Sequence, residues 1–418
     1  NPNNNFEYSY LMYCISGAQE YNEGFSQDFS SVGVKVIDNY TLQVTLKEAL
    51  GYFPSLLSLY MFYPQNTKFF NENNEYGGYP STIVGNGEYI VETWDNFPDS
   101  SSMFLKKSQT YWNKQNINIE NIELLMLDES QSIEKYKEGS LDIVNVSNSK
   151  VADYKDSKDL KTFADGSIWY LGLNNDNPLF SNKKIRKAIA LSIDRQAFID
   201  NIRNGLGEVA ESFVPMGIIG KNDFFREEYK QSLYNLSYNP SKAKVLFEQG
   251  LKELKLDKAM IGTIALLSGD SEELIKEAEF YAEQIRNNLG LQVELDTESF
   301  QRRLQKTLDK DYDMVVSAWG SDYNDPGSLL EIWTSNSFLN TTGWISNNYN
   351  NFIKLAKVEK DYTKRIDNYA KAEQILMDEL PIIPIFYGKK AFLVNPNIEQ
   401  LHFQVISNSF DFSNSFIK

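Results

Sequence analysis

The chain has 418 residues, more than one hydrophobic core usually serves, so two or three domains are expected. A formal net charge of −16 excludes nucleic acid and anionic membrane surfaces as partners. One cysteine, Cys14, excludes an internal disulfide, and one histidine, His402, excludes a histidine-based metal centre and most histidine-dependent catalysis. No apolar run is long enough to span a bilayer, and aromatics at 14% mark a well-folded chain.

The chain opens Asn1-Pro2-Asn3-Asn4-Asn5 without an initiator methionine, which reads as a processed or truncated start. Tyr8 to Tyr21 reads as a helix with aromatics on one side, and Val34 to Leu46 as a β-hairpin turning at Asp38-Asn39. A short helix is expected from Tyr52 to Leu59, then a polar loop from Gln65 to Pro80. Strands follow at Gly85–Trp94, Met103–Lys107 and Ile122–Leu127, a helix at Ser130–Glu138, and a strand at Leu141–Val146. Trp169 to Asn175 is a strand, after which Ser181 opens a helix with Ile185, Ala188, Ile189 and Ile193 at helical spacing and Gly205 near its end. Another helix is expected from Pro240 to Glu248.

From Ile261 the rhythm is α/β. Ile261–Leu267 reads as a strand and Glu272–Leu289 as a helix capped by Gly290. Leu291, Val293 and Leu295 alternate as the next strand, and Phe300, Leu304 and Leu308 mark a short amphipathic helix. A strand from Met314 to Ala318 completes what reads as a parallel sheet of its own, hence a separate lobe. Tyr362–Leu380 is a long helix and Ile382–Phe386 a strand.

Past Ala318 the chain breaks into turn residues, and Asp325-Pro326 restarts it as a helix, with Asp325 as N-cap and Pro326 first in the helix. Asp322 is left without a local structural task. A carboxylate beside Trp319 and Tyr323, just past a sheet strand, suits an ammonium group through charge pairing and cation–π attraction. An exposed Asx-turn with one aromatic in the core accounts for the same residues. Enzyme motifs are lacking: there is no Gly-x-Ser-x-Gly elbow, His-Glu-x-x-His, P-loop or EF-hand loop. Carboxylate pairs that a glycosidase would need are Asp322 with Asp325 and Asp311 with Asp313, and the second pair reads better as a strand edge.

Several segments in shared order resemble one family. They are Gly33–Leu46, Gly85–Tyr89, Gln109–Trp112, Tyr136–Asp142, Leu173–Asn175, Ile185–Ile189 with Ile193–Arg195, and Trp319–Pro326. The chain is similar to the solute-binding proteins of bacterial oligopeptide and dipeptide ABC importers, the peptide-binding family of extracytoplasmic receptors. The resemblance implies an α/β, two-lobed, periplasmic-binding-protein-like fold that closes about a hinge on an oligopeptide. It further implies a permease partner, a monomer, no cofactor or metal, and no catalysis. The expected location is outside the cytoplasmic membrane, as a lipid-anchored surface protein of a Gram-positive cell or in a periplasm.

By that resemblance Asp322 holds the peptide ammonium, Trp319 lies beside it, and backbone groups of Ala318 to Gly320 pair with the peptide like an added strand. Tyr8, Trp169, Tyr170, Asn174, Phe300 and Leu304 fall at or near family pocket positions. The family's usual N-terminal segment, with its Leu-Asp-Pro and Trp-Ser-Asp-Gly stretches, has no counterpart, so the first lobe is expected to lack it. The implied division is residues 1–66 as a remnant of a small subdomain, 67–196 plus 389–418 as the first lobe, and 197–388 as the second. Basic residues that clamp a peptide carboxylate in some members are not evident between Thr307 and Ser317. Relatives that bind a nickel chelate, haem or an oligosaccharide share the fold and remain alternatives, nickel the least favoured with one histidine.

Overall fold

The computed structural model describes residues 7–73, 76–94, 101–230, 236–406 and 410–418. The Asn1–Asn5 start lies outside the described residues. The first strands are the hairpin β1 (Val34–Asp38) and β2 (Thr41–Val44), whose pairing of Asp38 with Thr41 puts the turn at Asn39-Tyr40. Next come β3 (Tyr89–Trp94), β4 (Ser102–Lys107) and β5 (Asn121–Leu125), which form their own antiparallel sheet. The main sheet has seven strands: β6 (Ile143–Val146), β7 (Leu160–Leu173), β8 (Glu208–Val209), β9 (Ile264–Gly269), β10 (Val293–Glu298), β11 (Met314–Gly320) and β12 (Ile382–Val394).

The order β10-β9-β11-β7-β12-β6 corrects the expectation of a separate parallel sheet. The trio β10, β9 and β11 is parallel as expected, but the free edge of β11 is taken by β7, antiparallel from Met314–Leu173 to Gly320–Ser167. A strand that buries both faces needs a partner on both edges, and the apolar run of β7 supplies one.

β7 and β12 are long because they run through both ends of this sheet. They pair from Ile382–Gly172 to Tyr387–Ile168, slip, and resume from Lys389–Ala164 to Leu393–Leu160. In the slip, Asp165, Gly166 and Ser167 face Gly388 alone, a β-bulge. Gly166 has φ +69, and a Cβ there would lie 2.9 Å from the Val405 carbonyl oxygen. The left-handed φ and the close backbone call for glycine at Gly166, and a Cβ on Gly388 would lie 2.2 Å from Ser167 Oγ and 2.4 Å from Asp165 Oδ1, so those side chains would have to shift. β6 pairs only beyond the bulge, at Val394 to Ala391, whereas β9, β10 and β11 lie on its other side.

Helix boundaries follow capping chemistry. Ser271 accepts from the Leu274 N–H to start Glu272–Leu289, and Gly290 closes it with φ +66. The single helix expected after Ser181 is two. Asn182 caps Lys183–Ser192, Ile193 turns extended, and Asp194 caps Arg195–Asn201. Ile185, Ala188 and Ile189 are buried in the main core with Phe247, Ala278 and Ile285. The Lys183–Ser192 helix thus packs against the Pro240–Leu254 and Glu272–Leu289 helices.

Tyr8–Tyr21 is not one helix but a 3₁₀ turn, Glu7–Met12, and a short helix, Ala18–Asn22, because Gly17 takes a left-handed φ between them. Among the described residues three α-helices went unread, the one-turn Phe225–Glu228 and two longer ones. Thr67–Glu72 lies within the expected loop, and Asn347–Val358, capped by Ser346, is masked in sequence by its asparagines. The N-terminal segment docks on the loop after β11 through Leu11, Tyr52 and Leu56, which cluster with Tyr323. The Tyr52 and Tyr323 rings stack at 4.8 Å.

Candidate functional site

The β11 strand delivers Trp319 and Gly320 to the end of the sheet, where the chain must leave it. The loop that follows is anchored at its far side by Asp325. Its Oδ1 accepts the Gly327 N–H at 2.8 Å, and its two oxygens accept Arg365 Nη1 at 2.7 Å and Nη2 at 2.6 Å. Both side chains are buried, at 3% and 1% exposure. Asp325 is therefore not the N-cap expected of it, a position Pro326 takes, and its main partner, Arg365, was invisible forty residues downstream. Pro326, expected inside the helix, stands just before Gly327–Leu330.

Two further bonds fix the loop. Trp319 Nε1 donates to the Ser328 carbonyl at 3.0 Å, and the Asp322 N–H donates to Ser328 Oγ at 2.8 Å. They leave the Asp322 carboxylate to face a cavity of about 660 Å³ lined by the N-terminal segment, the residues after β11 and the Asn347–Val358 helix. That size is ordinary for a small-ligand site. Trp319, Tyr10, Leu11, Phe338, Leu339 and Ile353 supply its apolar wall. Tyr10 Oη donates to Asp322 Oδ2 at 3.3 Å, and Tyr10 meets Phe338 edge to face.

Among the described residues no cation pairs with Asp322. Burial pushes its carboxyl above the ordinary aspartate range, opposed only by the Tyr10 hydroxyl. Burial and the neighbouring Asp322 charge push the Tyr10 phenol up in turn. Such a carboxylate, partly stripped of water and lacking a counter-charge, gains most from an incoming ammonium.

The remaining expected site residues are dispersed. Trp169 is opposite Ala318 in register, and its ring stacks on Phe386 at 5.6 Å. Tyr170 is buried against Phe213 and Trp333, which makes it core. Phe300 and Leu304 are 67% and 48% exposed on the Phe300–Leu308 helix, away from the Asp322 cavity. Tyr8 lines a second cavity of about 900 Å³ within the N-terminal segment, with Met12, Tyr60 and Met61. Gly320 faces open space, so nothing there blocks an approaching backbone.

Asn174 has a local structural task. It lies at the far end of β7, where its amide donates to the Tyr312 and Lys310 carbonyls and serves the turn into β11. The glycosidase pairs also dissolve. Asp325 is neutralised by Arg365, and Asp313 accepts from Asn177 and from the Ala265 N–H. Among the described residues no cluster of metal-ligating side chains occurs.

Sequence reasoning missed Tyr10 and Phe338. Only the spacing of aromatics in the first helix hinted at Tyr10, and nothing local marked Phe338.

"Oligopeptide-binding protein OppA" of Bacillus subtilis is 28% identical over 407 residues, covering 95% of this chain and 73% of that protein. "Dipeptide-binding protein DppE" of the same organism is 29% identical over 395 residues, covering 94% and 71%. Among solved structures, "Listeria monocytogenes OppA bound to peptide" superposes with a TM-score of 0.75 at 28% identity, covering all of this chain and 81% of that one. The fold is that of the two-lobed binding proteins. Residues 1–340 match the family described as "Bacterial extracellular solute-binding proteins, family 5 Middle", and the chain belongs to that family.

Proposed function

We propose that this chain is an extracytoplasmic receptor that captures oligopeptides between two lobes and hands them to the permease of an ABC importer. One observation carries the reading: Asp322 lies half-buried beside Trp319 in a ligand-sized cavity, its carboxyl pushed up by burial, with no cation paired to it among the described residues. A peptide's α-ammonium is the missing counter-charge, and Trp319 and Tyr10 shield the pair from water. The exposed backbone at Gly320 allows an extended ligand to continue as an added strand along Ala318 to Gly320. The names of the relatives, oligopeptide- and dipeptide-binding proteins, support the same substrate class.

The lobe division we propose runs through the bulge at Gly166 and Gly388. The first lobe then holds β3 to β6 and the outer halves of β7 and β12, and the second holds β8 to β11 with their helices. Ligand bridging the lobes stabilises the closed form, and the permease reads closure. Attachment to the outer cell surface by a lipid belongs to the same reading.

Isothermal titration with free and N-acetylated forms of one peptide tests it. Acetylation and Asp322→Ala are each expected to cost roughly 2–5 kcal/mol of affinity, since either removes one partner of a desolvated charge pair. Equal affinity for both forms refutes the role of Asp322.

A further inference from the structure

The turn from Ile202 to Gly207 joins the Arg195–Asn201 helix to β8, so by chain it belongs to the second lobe. Its two apolar side chains go separate ways. Ile202 packs on the main core that holds Phe198 and Phe386, whereas Leu206, 5% exposed, is buried among Val146, Val151, Ala391 and Leu393 of the first lobe. Hydrogen bonds close the same joint. Asn148, buried just past β6, donates to the Ile202 carbonyl at 3.1 Å and to Glu273 Oε1 at 3.2 Å. The Asn204 amide donates to the Asn148 carbonyl at 2.9 Å.

The turn is held stiffly. Asn204 and Gly205 take left-handed φ of +50 and +81. Arg203 pins the turn from within: its Nε donates to the Leu206 carbonyl at 3.0 Å, its Nη1 donates to the buried Glu277 carboxylate, and its guanidinium lies 4.4 Å from the centre of the Phe386 ring. Register places the joint beside the bulge. Along one edge of β12, β8 pairs at Phe386 and Tyr387 and β6 at Ala391 to Val394, so Gly207 and Ser147 run toward each other past Gly388. On the opposite edge of the ribbon, Ser321 donates its N–H to the Gly166 carbonyl at 3.2 Å, which puts the Asp322 loop across the ribbon from this turn.

We propose that the Ile202–Gly207 turn is the pivot of the molecule, a peg of the second lobe seated through Leu206 in the core of the first. The proposal rests on the lobe division through the bulge and adds a fixed point to it. Two strands alone let the lobes twist and splay in many directions. A buried apolar side chain ringed by hydrogen bonds removes the sliding and splaying motions and leaves rotation about the peg. The ligand-free protein is thereby confined to a narrow range of lobe orientations, and closing on a ligand costs less conformational entropy.

Spin labels on Trp112→Cys in the first lobe and Met260→Cys in the second, both exposed positions, read the distance between lobes by pulsed electron resonance in a Cys14→Ser background. Leu206→Ala in the full chain is expected to broaden that distribution in the ligand-free protein and to weaken trialanine binding about two- to tenfold by calorimetry, with no ligand contact changed. Leu206→Met keeps the apolar bulk and should keep the narrow distribution. Asn204→Gly removes the amide bond to Asn148 while accepting the left-handed φ, so it should fold and broaden the distribution less. A folded Leu206→Ala protein with the parental distribution overturns the pivot. Should Leu206→Ala fail to fold, Asn204→Gly decides: broadening supports the pivot and the parental width overturns it. The distance measurement needs no ligand, so a parent protein that ignores trialanine counts against the peptide reading alone.

Discussion

Removing Arg365 should damage this protein more than removing any exposed charge. Arg365→Met takes away both bonds to Asp325, at 2.7 and 2.6 Å, and leaves a carboxylate 3% exposed with only the Gly327 N–H. An unpaired buried charge costs roughly 3–5 kcal/mol. The guanidinium also sits 5.2 Å from the Tyr52 ring and 5.0 Å from the Tyr369 ring, contacts of roughly 0.5–2 kcal/mol. Asp325→Asn makes the complementary error, stranding Arg365 in the same interior. The double variant Asp325→Asn with Arg365→Met strands no charge, and asparagine can still accept from Gly327. Its loss should therefore fall well below the sum of the two single losses. Urea unfolding followed by tryptophan fluorescence measures all three, because Trp333 and Trp344 are buried in the same lobe. Single variants that each lose under about 1 kcal/mol, or a double variant that loses the full sum, would refute this account of the loop's anchor.

Two further outcomes follow from the same coordinates. Asp322→Asn should weaken binding yet stabilise the ligand-free protein at neutral pH. Burial holds the folded-state pKa of Asp322 above its unfolded value, so its stabilising share is present at acid pH and lost as pH rises through the raised value. Thermal melts of the two proteins should separate above that pH and converge below it; a lower melting temperature for the variant at pH 7 contradicts the claim. Gly388→Ala should cost roughly 1–3 kcal/mol by driving a methyl group into Asp165 and Ser167, and should suppress any peptide-induced compaction seen by small-angle scattering. Gly87→Ala, with nothing within 4 Å, is the neutral control.

The periodic parts of the fold were legible because burial writes itself into spacing. The Glu272–Leu289 helix is read to the residue, since its apolar face, its Ser271 cap and its Gly290 stop agree. The parallel trio was legible for the same reason, but its junction with β7 was not: strand pairing across 140 residues leaves no local mark. The local sequence left Asp322 as an acid with no cap to serve, with an exposed Asx-turn equally open, and the family resemblance singled it out together with Trp319. Tyr10, Phe338 and the Arg365 anchor reach this cavity only by tertiary folding, from segments whose own patterns describe other faces. Asn174 shows the converse, a polar residue in a recognisable motif whose task is to tie down a turn.

The bulge shared by β7 and β12 also has a mechanical meaning. A wide sheet resists torsion because every added ladder stiffens it, whereas a pair of strands twists with little effort. With a rung missing at Gly388 and the other strands ending on one side or the other, this ribbon is the narrowest part of the sheet. On the proposed lobe division it is where twisting would be easiest, and a small rotation there would become a larger displacement at the rims.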